Sequence, residues 1–204
     1  MKTGVTRAAT HLAARIRINN EEVDDDLGES RDGDKADDER SIKRAARRCL
    51  ADKTNHRMGS VLAFSDVLSR RALFSLIGRQ WSTCLDLSQS ITQLQELAEA
   101  ASALELEATM TEEERELWKG LPDQFPAYRG CYRPDVCGLR WSLGRNIASK
   151  FPFLPHLRQE RSPLLAEAHV RRADCVLKLQ ADEIEIVIWK PKVVSVEQLP
   201  PLTH

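Results

Sequence analysis

No stretch of the sequence is apolar enough to cross a bilayer, because apolar runs such as Ile186–Trp189 reach only four residues and a spanning helix needs about 20. Aromatic residues are scarce, at 5%, and the five cysteines are too few and too widely spaced for a small disulfide scaffold. At 204 residues the chain suits one ordinary domain. We therefore expect a cytoplasmic protein with no membrane partner.

Several common catalytic motifs are also missing. The sequence has no Gly-x-Gly-x-x-Gly, Walker loop, His-Glu-x-x-His or Gly-x-Ser-x-Gly, which disfavours P-loop enzymes, zinc proteases and serine hydrolases. Cys131 and Cys137 stand six positions apart without a second cysteine pair, and the five histidines are scattered. We therefore predict no metal site.

Charge is balanced overall, at −1, but it is segregated along the first third of the chain. Residues 20–39 hold eleven acidic residues against two basic ones, a composition that cannot offset the entropy cost of folding. Residues 40–57 hold seven basic residues against one acidic residue. This basic run either binds phosphates or folds back on the acidic stretch. Residues 1–58 are predicted to form a disordered charged leader.

Helical periodicity marks residues 59–119. A helix is predicted from an N-cap at Ser65 to Gly78, with Val67 facing inward, and a second from Leu87 to Glu107 with Leu104 on its inner face. Thr111 and Glu114 form the spacing of a capping box, which predicts a third helix with Leu117 and Trp118 packed inward.

Proline and glycine punctuation after residue 120 indicates a β-rich core over residues 120–204. A short helix is predicted over Arg145–Phe151. The predicted strands are Ala127–Cys131, Leu139–Leu143, Glu167–Leu179, Glu183–Trp189 and Lys192–Gln198. Strict alternation places Glu183 and Glu185 on the face opposite Ile184, Ile186 and Ile188. The predicted fold class is α+β, with helices over one face of the sheet.

Three short sequence islands in this core carry the candidate chemistry: Tyr128-Arg129-Gly130, Gly138-Leu139-Arg140-Trp141-Ser142 and Glu183-Ile184-Glu185. Their order resembles the Arg-Ser-Glu class of mono-ADP-ribosyltransferases, in which an arginine ends the first core strand, a serine strand follows and a Glu-x-Glu closes the site. The stretch from Leu121 to Cys131 is also similar to one in bacterial and phage-borne proteins of unsettled activity. The resemblance covers roughly the last 80 residues.

The resemblance implies an enzyme that uses NAD as a substrate and modifies a protein side chain, and family members with a Glu-x-Glu usually modify arginine. Glu185 would be the catalytic carboxylate and Glu183 would contact the acceptor. Arg129 and Ser142 would bind NAD, with Tyr128 and Arg140 also near the dinucleotide. Cleaving the nicotinamide–ribose bond passes through an oxocarbenium-like state, which a carboxylate stabilises. Repulsion between two neighbouring carboxylates also raises the pKa of one of them, which favours proton transfer near neutral pH.

Two positions depart from the family pattern, because Arg140 stands where a small hydroxyl residue is usual and Gly144 stands where an aspartate would cap the following helix. Either the chain is an inactive relative that acts as a binding protein, or Arg140 itself reaches a phosphate. Taken singly, the same residues suit a structural role, with the glutamates on the exposed face of a surface strand and Gly130 in a turn. Residues 126–172 carry nine basic residues against three acidic ones, which would attract an anionic dinucleotide or a nucleic acid. A nucleic-acid-associated protein is therefore a third alternative.

Overall fold

Helices come first in the described chain and strands come last, as an α+β protein requires. The computed structural model describes residues 32–51, 57–84, 86–133, 135–155, 157, 159–180 and 183–200. None of the helices in these ranges combines the length and hydropathy of a membrane-spanning segment. The helices before the first strand are α1 (Asp32–Ala51), α2 (Arg57–Leu62), α3 (Arg70–Gln80), α4 (Ile91–Glu99), α5 (Ala103–Glu107) and α6 (Glu112–Lys119).

The strands form one antiparallel sheet in the order β4-β5-β2-β1-β3-β6. A short helix, α7 (Arg145–Ala148), lies between β2 and β3 in the chain, and 3₁₀ turns occupy Trp81–Thr83, Asp135–Cys137, Phe151–Phe153 and Arg172–Asp174. The strands are β1 (Gln124–Cys131), β2 (Arg140–Ser142), β3 (Leu164–Arg171), β4 (Cys175–Gln180), β5 (Glu183–Ile188) and β6 (Val193–Gln198).

The disorder predicted for residues 1–58 is wrong for Asp32–Ala51, which forms helix α1. Ile42, Ala45 and Cys49 recur at helical spacing and are buried, an apolar stripe that a count of charges does not reveal. The rest of the predicted leader, apart from Arg57 and Met58 in α2, lies outside the described residues. The chain divides into two units, Met1–Ala36 and Asp37–His204, and the second holds the six strands that the structure describes.

The observed helix boundaries differ from the predicted ones because capping residues set where each helix begins. Ser69 rather than Ser65 caps α3, since its hydroxyl accepts a hydrogen bond from the Ala72 N–H, and Val67 is 76% exposed. The predicted helix Leu87–Glu107 is two helices, because Ser102 forms a capping box that starts α5. Leu104 consequently lies on an exposed face. The capping box predicted at Thr111 is confirmed, and it starts α6.

The single strand predicted over Glu167–Leu179 is two strands separated by the 3₁₀ turn Arg172–Asp174. They belong to opposite halves of the sheet, since β3 pairs with β1 and β6 whereas β4 pairs only with β5. The predicted helix Arg145–Phe151 ends at Ala148. The predictions for the other strands agree with β1, β2, β5 and β6 to within three residues at each end.

Helix α6 covers the free edge of the sheet along β4. The buried Glu114 carboxylate accepts hydrogen bonds from the Leu179 N–H, at 2.8 Å, and from Lys178 Nζ, at 2.7 Å. The Trp118 indole N–H donates to the Cys175 carbonyl at 3.0 Å. Edge strands expose unpaired backbone groups that attract other chains. Here the side chains of α6 supply the missing partners.

The ion pair between Glu114 and Lys178 gives the first testable prediction. Both side chains are buried, with exposures of 5% and 7%, so Lys178→Met leaves a buried carboxylate without its cation. We expect the free energy of unfolding in urea to fall by about 3–5 kcal/mol. The control Lys119→Met, which breaks an exposed pair with Glu116, should change it little. Equal effects of the two variants would contradict a stabilising role for the buried pair.

Candidate functional site

The three sequence islands lie on three neighbouring strands of the sheet, β1, β2 and β5. Tyr128 on β1 pairs with Ser142 on β2, and Ser142 pairs with Glu185 on β5. Directly paired residues share one face of a sheet, and alternate residues along a strand do as well. Tyr128, Ser142, Glu185, Glu183 and Arg140 therefore share one face, which we call the glutamate face.

Arg129 follows Tyr128 on β1, so its side chain leaves the opposite face of the sheet. It is half-buried, and burial lowers its pKa although Asp135 and Glu185 act in the other direction. Its Nε donates to the Asp135 carbonyl at 2.8 Å and its Nη1 to the Arg140 carbonyl at 2.7 Å. Arg129 thus braces the connection between β1 and β2, and the structure does not bring it onto the glutamate face.

Gly138 leaves room for the Arg129 guanidinium. A Cβ at position 138 would stand 2.4 Å from Arg129 Nη2. Gly130 has a similar role inside β1, where a Cβ would stand 1.9 Å from the Ala148 carbonyl oxygen of α7. Gly130 therefore lies in a strand, as predicted for Ala127–Cys131, and not in the turn considered as its structural alternative. It permits a close approach of two backbone segments.

Glu185 is buried on the glutamate face, and its side chain is 12% exposed. Its Oε1 accepts a hydrogen bond from the Trp81 indole N–H and lies 3.8 Å from Arg140 Nε. Burial raises the pKa of this carboxyl, while Arg140, the Trp81 hydrogen bond, Arg129 and Lys178 oppose the rise. The half-exposed surface strand considered for Glu185 is thus not what the structure shows.

Arg140 joins the same cluster from β2. Its Nη2 donates to the carbonyls of Trp81, at 2.7 Å, and Cys84, at 2.6 Å, and its guanidinium lies 5.3 Å from the centre of the Trp81 ring. Its Nε is buried and forms no hydrogen bond within the described residues. We call Trp81, Arg140 and Glu185 the polar clamp. It connects the 3₁₀ turn after α3 to the middle of the sheet.

Trp81 is the residue that sequence reasoning missed. It follows a helix end and belongs to none of the three islands, and it contacts a carboxylate 104 positions later in the chain. The one available signal is its residue type, because a buried tryptophan N–H needs an acceptor. No local pattern identifies that acceptor.

Glu183 is the more accessible of the two glutamates. Burial and the neighbouring Glu185 raise its pKa, and a hydrogen bond with Ser142 acts in the opposite direction. The charge of Glu185 thus raises the pKa of Glu183, the effect predicted for one of two close carboxylates. Ser142 is buried, and its hydroxyl oxygen accepts from the Gly144 N–H at 3.1 Å.

Tyr128 is half-buried beside α7. Its ring packs against a cluster of Ala148, Leu165 and Leu199, and the Arg145 guanidinium lies 5.8 Å from the ring centre. Burial, followed by the charge of Glu167, raises the pKa of its hydroxyl. One face of the ring is therefore occupied by a cation of the protein itself.

Together the glutamate face offers two carboxyls with raised pKa values, the hydroxyls of Ser142 and Tyr128, and one guanidinium. Such carboxyls suit general acid–base chemistry near neutral pH and the stabilisation of developing positive charge. In the ranges that the structure describes, no three histidine, cysteine, aspartate or glutamate residues are grouped so that they could hold a metal ion.

The buried Glu185 carboxyl predicts a pH-dependent stability. A pKa raised above the ordinary 4.5 means that the folded protein holds the proton more tightly than the unfolded chain, so stability falls as pH rises above about 4.5, through the native pKa. We expect Glu185→Gln, which keeps an acceptor for Trp81, to gain stability over the original protein as pH rises from 4 to 8. Thermal unfolding across this range measures the difference. Each unit of raised pKa is worth about 1.4 kcal/mol.

The control for this measurement is Glu113→Gln, which replaces an exposed carboxyl on α6 and should give a profile parallel to that of the original protein. A profile for Glu185→Gln that is also parallel would show that the Glu185 carboxyl has the same pKa in the folded and unfolded chains.

Comparison with protein-family models, with curated proteins and with solved structures gives no match. The chemistry of the glutamate face is therefore the basis on which a function can be assigned.

Proposed function

We propose that the protein is an NAD-dependent mono-ADP-ribosyltransferase that modifies a protein side chain. The observation that supports this proposal is the grouping of Glu183, Ser142 and Glu185 on one face of adjacent strands. The order of these residues along the chain is the one that the family resemblance requires. Both glutamates have raised pKa values with burial as the main cause, as residues that handle charge and protons do.

The two glutamates would have different roles in the reaction. The bond between ribose C1′ and the nicotinamide nitrogen breaks, and nicotinamide leaves with the bonding electron pair. Glu185, in its carboxylate form, would stabilise the positive charge that develops on the ribose. A nitrogen of the acceptor, such as an arginine guanidinium, then forms the new bond to C1′ and loses a proton. Glu183 is more accessible and its pKa is raised, so it would accept that proton.

The polar clamp must open before a ribose can reach Glu185. In the described arrangement the Trp81 indole holds one carboxylate oxygen and Arg140 lies beside it. A ribose hydroxyl donates to a carboxylate as an indole N–H does, so a bound sugar could replace Trp81 without leaving Glu185 unpartnered. Arg140 released from Trp81 would then have donors for a phosphate of NAD. The proposal thus includes movement of the turn that carries Trp81.

Incubation of the purified protein with labelled NAD and a cell lysate tests this function. We expect label on lysate proteins, and we expect Glu185→Gln to reduce its transfer by about 100-fold or more. Glu183→Gln should impair transfer to protein more than release of free nicotinamide, because it acts on the acceptor. Glu113→Gln is the matched control and should transfer label normally. Absence of transfer by the original protein, or unchanged transfer by Glu185→Gln, would reject the assigned mechanism.

The polar clamp itself favours a second candidate, a non-catalytic binding protein on the same scaffold. Arg140, in the place of the family's hydroxyl residue, helps to close the site through its bonds to the Trp81 and Cys84 carbonyls. In that case the cluster is a permanent structural contact, and NAD has no access to Glu185.

Trp81→Phe separates the two candidates, because it removes the indole N–H and keeps an aromatic ring. If the clamp gates an enzyme, the variant should bind NAD more tightly by calorimetry and release nicotinamide faster than the original protein. If the clamp is structural, neither protein should bind NAD, and the variant should only lose stability, by about 1–3 kcal/mol for an unpaired buried acceptor. Circular dichroism confirms that the variant is folded.

A further inference from the structure

Helix α1 carries a dense basic face that the proposed transferase site does not use. Its basic residues recur at steps of three and four, which places them on one side of a helix. The side chains on this side are all exposed. We call this side the basic stripe; it consists of Lys43, Arg44, Arg47 and Arg48.

The opposite side of α1 is anchored in the protein. Ile42, Ala45 and Cys49 have exposures of 6%, 2% and 0%, and they lie about 180° around the helix from the stripe. This anchoring holds the helix with its cations directed outward. It also argues against a membrane surface as the partner, since an interfacial helix needs an exposed apolar face to insert between lipids.

Little inside the described part of the chain neutralises the stripe. Lys43 pairs with Glu39 at 3.0 Å, and both side chains are more than half exposed, so water and salt weaken this pair. Arg44, Arg47 and Arg48 form no ion pair with a described residue.

Charge spacing identifies the kind of polyanion that fits. From Lys43 to Arg48 the helix rises about 7.5 Å, at about 1.5 Å per residue, and duplex DNA carries one phosphate charge per about 1.7 Å of its axis. The four cations therefore face a comparable number of phosphates. Helix α1 has no aromatic residue, so it lacks the stacking platforms that proteins use for single strands. The major groove of B-form DNA admits a helix, whereas that of A-form RNA is too narrow for side chains.

We propose that the basic stripe of α1 is a docking surface for duplex DNA that binds the phosphate backbone without reading sequence. Binding of this kind depends on release of the ions condensed on the phosphates. The affinity should therefore fall steeply with salt, and each cation of the stripe should contribute to the slope.

Fluorescence anisotropy of a labelled 20-base-pair duplex with the full chain, between 25 and 200 mM salt, tests the proposal. We expect the logarithm of the binding constant to fall against the logarithm of the salt concentration with a slope of about −3.6, from about 0.9 for each of four phosphates neutralised. The triple variant Arg44→Gln, Arg47→Gln, Arg48→Gln should reduce that slope by about 2.7. It should also weaken binding at 50 mM salt by about tenfold or more.

A triple variant with the same change of charge elsewhere is the matched control. Arg133→Gln, Lys150→Gln and Lys192→Gln alter exposed residues after β1, after α7 and before β6, and this variant should keep the slope of the original protein. Circular dichroism and thermal melting show that both variants are folded. The proposal is overturned by absence of binding at 25 mM salt, by equal losses in the two variants, or by tighter binding of single-stranded DNA or duplex RNA. The assay contains no NAD, so its result is separate from that of the transferase test.

Discussion

The buried carboxylate of Glu114 is the contact on which the arrangement of helices and sheet depends. It accepts the Thr111 N–H of its own capping box, the Leu179 N–H of the sheet edge and the ammonium group of Lys178. Three donors around one carboxylate compensate for its removal from water. An isolated buried charge would have no such compensation for its lost hydration. Glu114 completes the cap at the start of α6 and also accepts hydrogen bonds from the edge strand β4. The helix and the strand that it covers are therefore fixed together.

The charged groups of the glutamate face are likewise stabilised by nearby polar partners. Lys178 and Glu185 are directly paired on β4 and β5, and the charge of Lys178 counteracts the rise in the pKa of Glu185. Arg140 acts in the same direction from β2. These charged groups can be shielded from water because each of them contacts a polar partner. Lys178 in addition donates a hydrogen bond to the Thr109 carbonyl. A candidate catalytic carboxylate is thereby kept away from water and held by the polar clamp.

Local signals predicted the parts of the fold that local chemistry controls. The box at Thr111 and Glu114 marks a helix start because both hydrogen bonds form within four residues. The strand Glu183–Ile188 is visible from its alternation. Local sequence signals are weaker for three other features: the helix start at Ser69, the break at Ser102 and the helix over Asp32–Ala51. Several serines compete as caps along the helical segment, and the apolar stripe of α1 is hidden among charges.

The sequence by itself determined that Glu183 and Glu185 share a face, since side chains alternate along any strand. It also determined that Tyr128 and Arg129 leave opposite faces of β1. Only the tertiary structure decided whether Tyr128 or Arg129 lies on the same face of the sheet as the glutamates. The pairing of Tyr128 with Ser142 places Tyr128 there, and a slip of one residue would have placed Arg129 there instead. Burial of Glu185 was likewise decided in three dimensions, because its cover is Trp81, which the chain brings to it from 104 positions away.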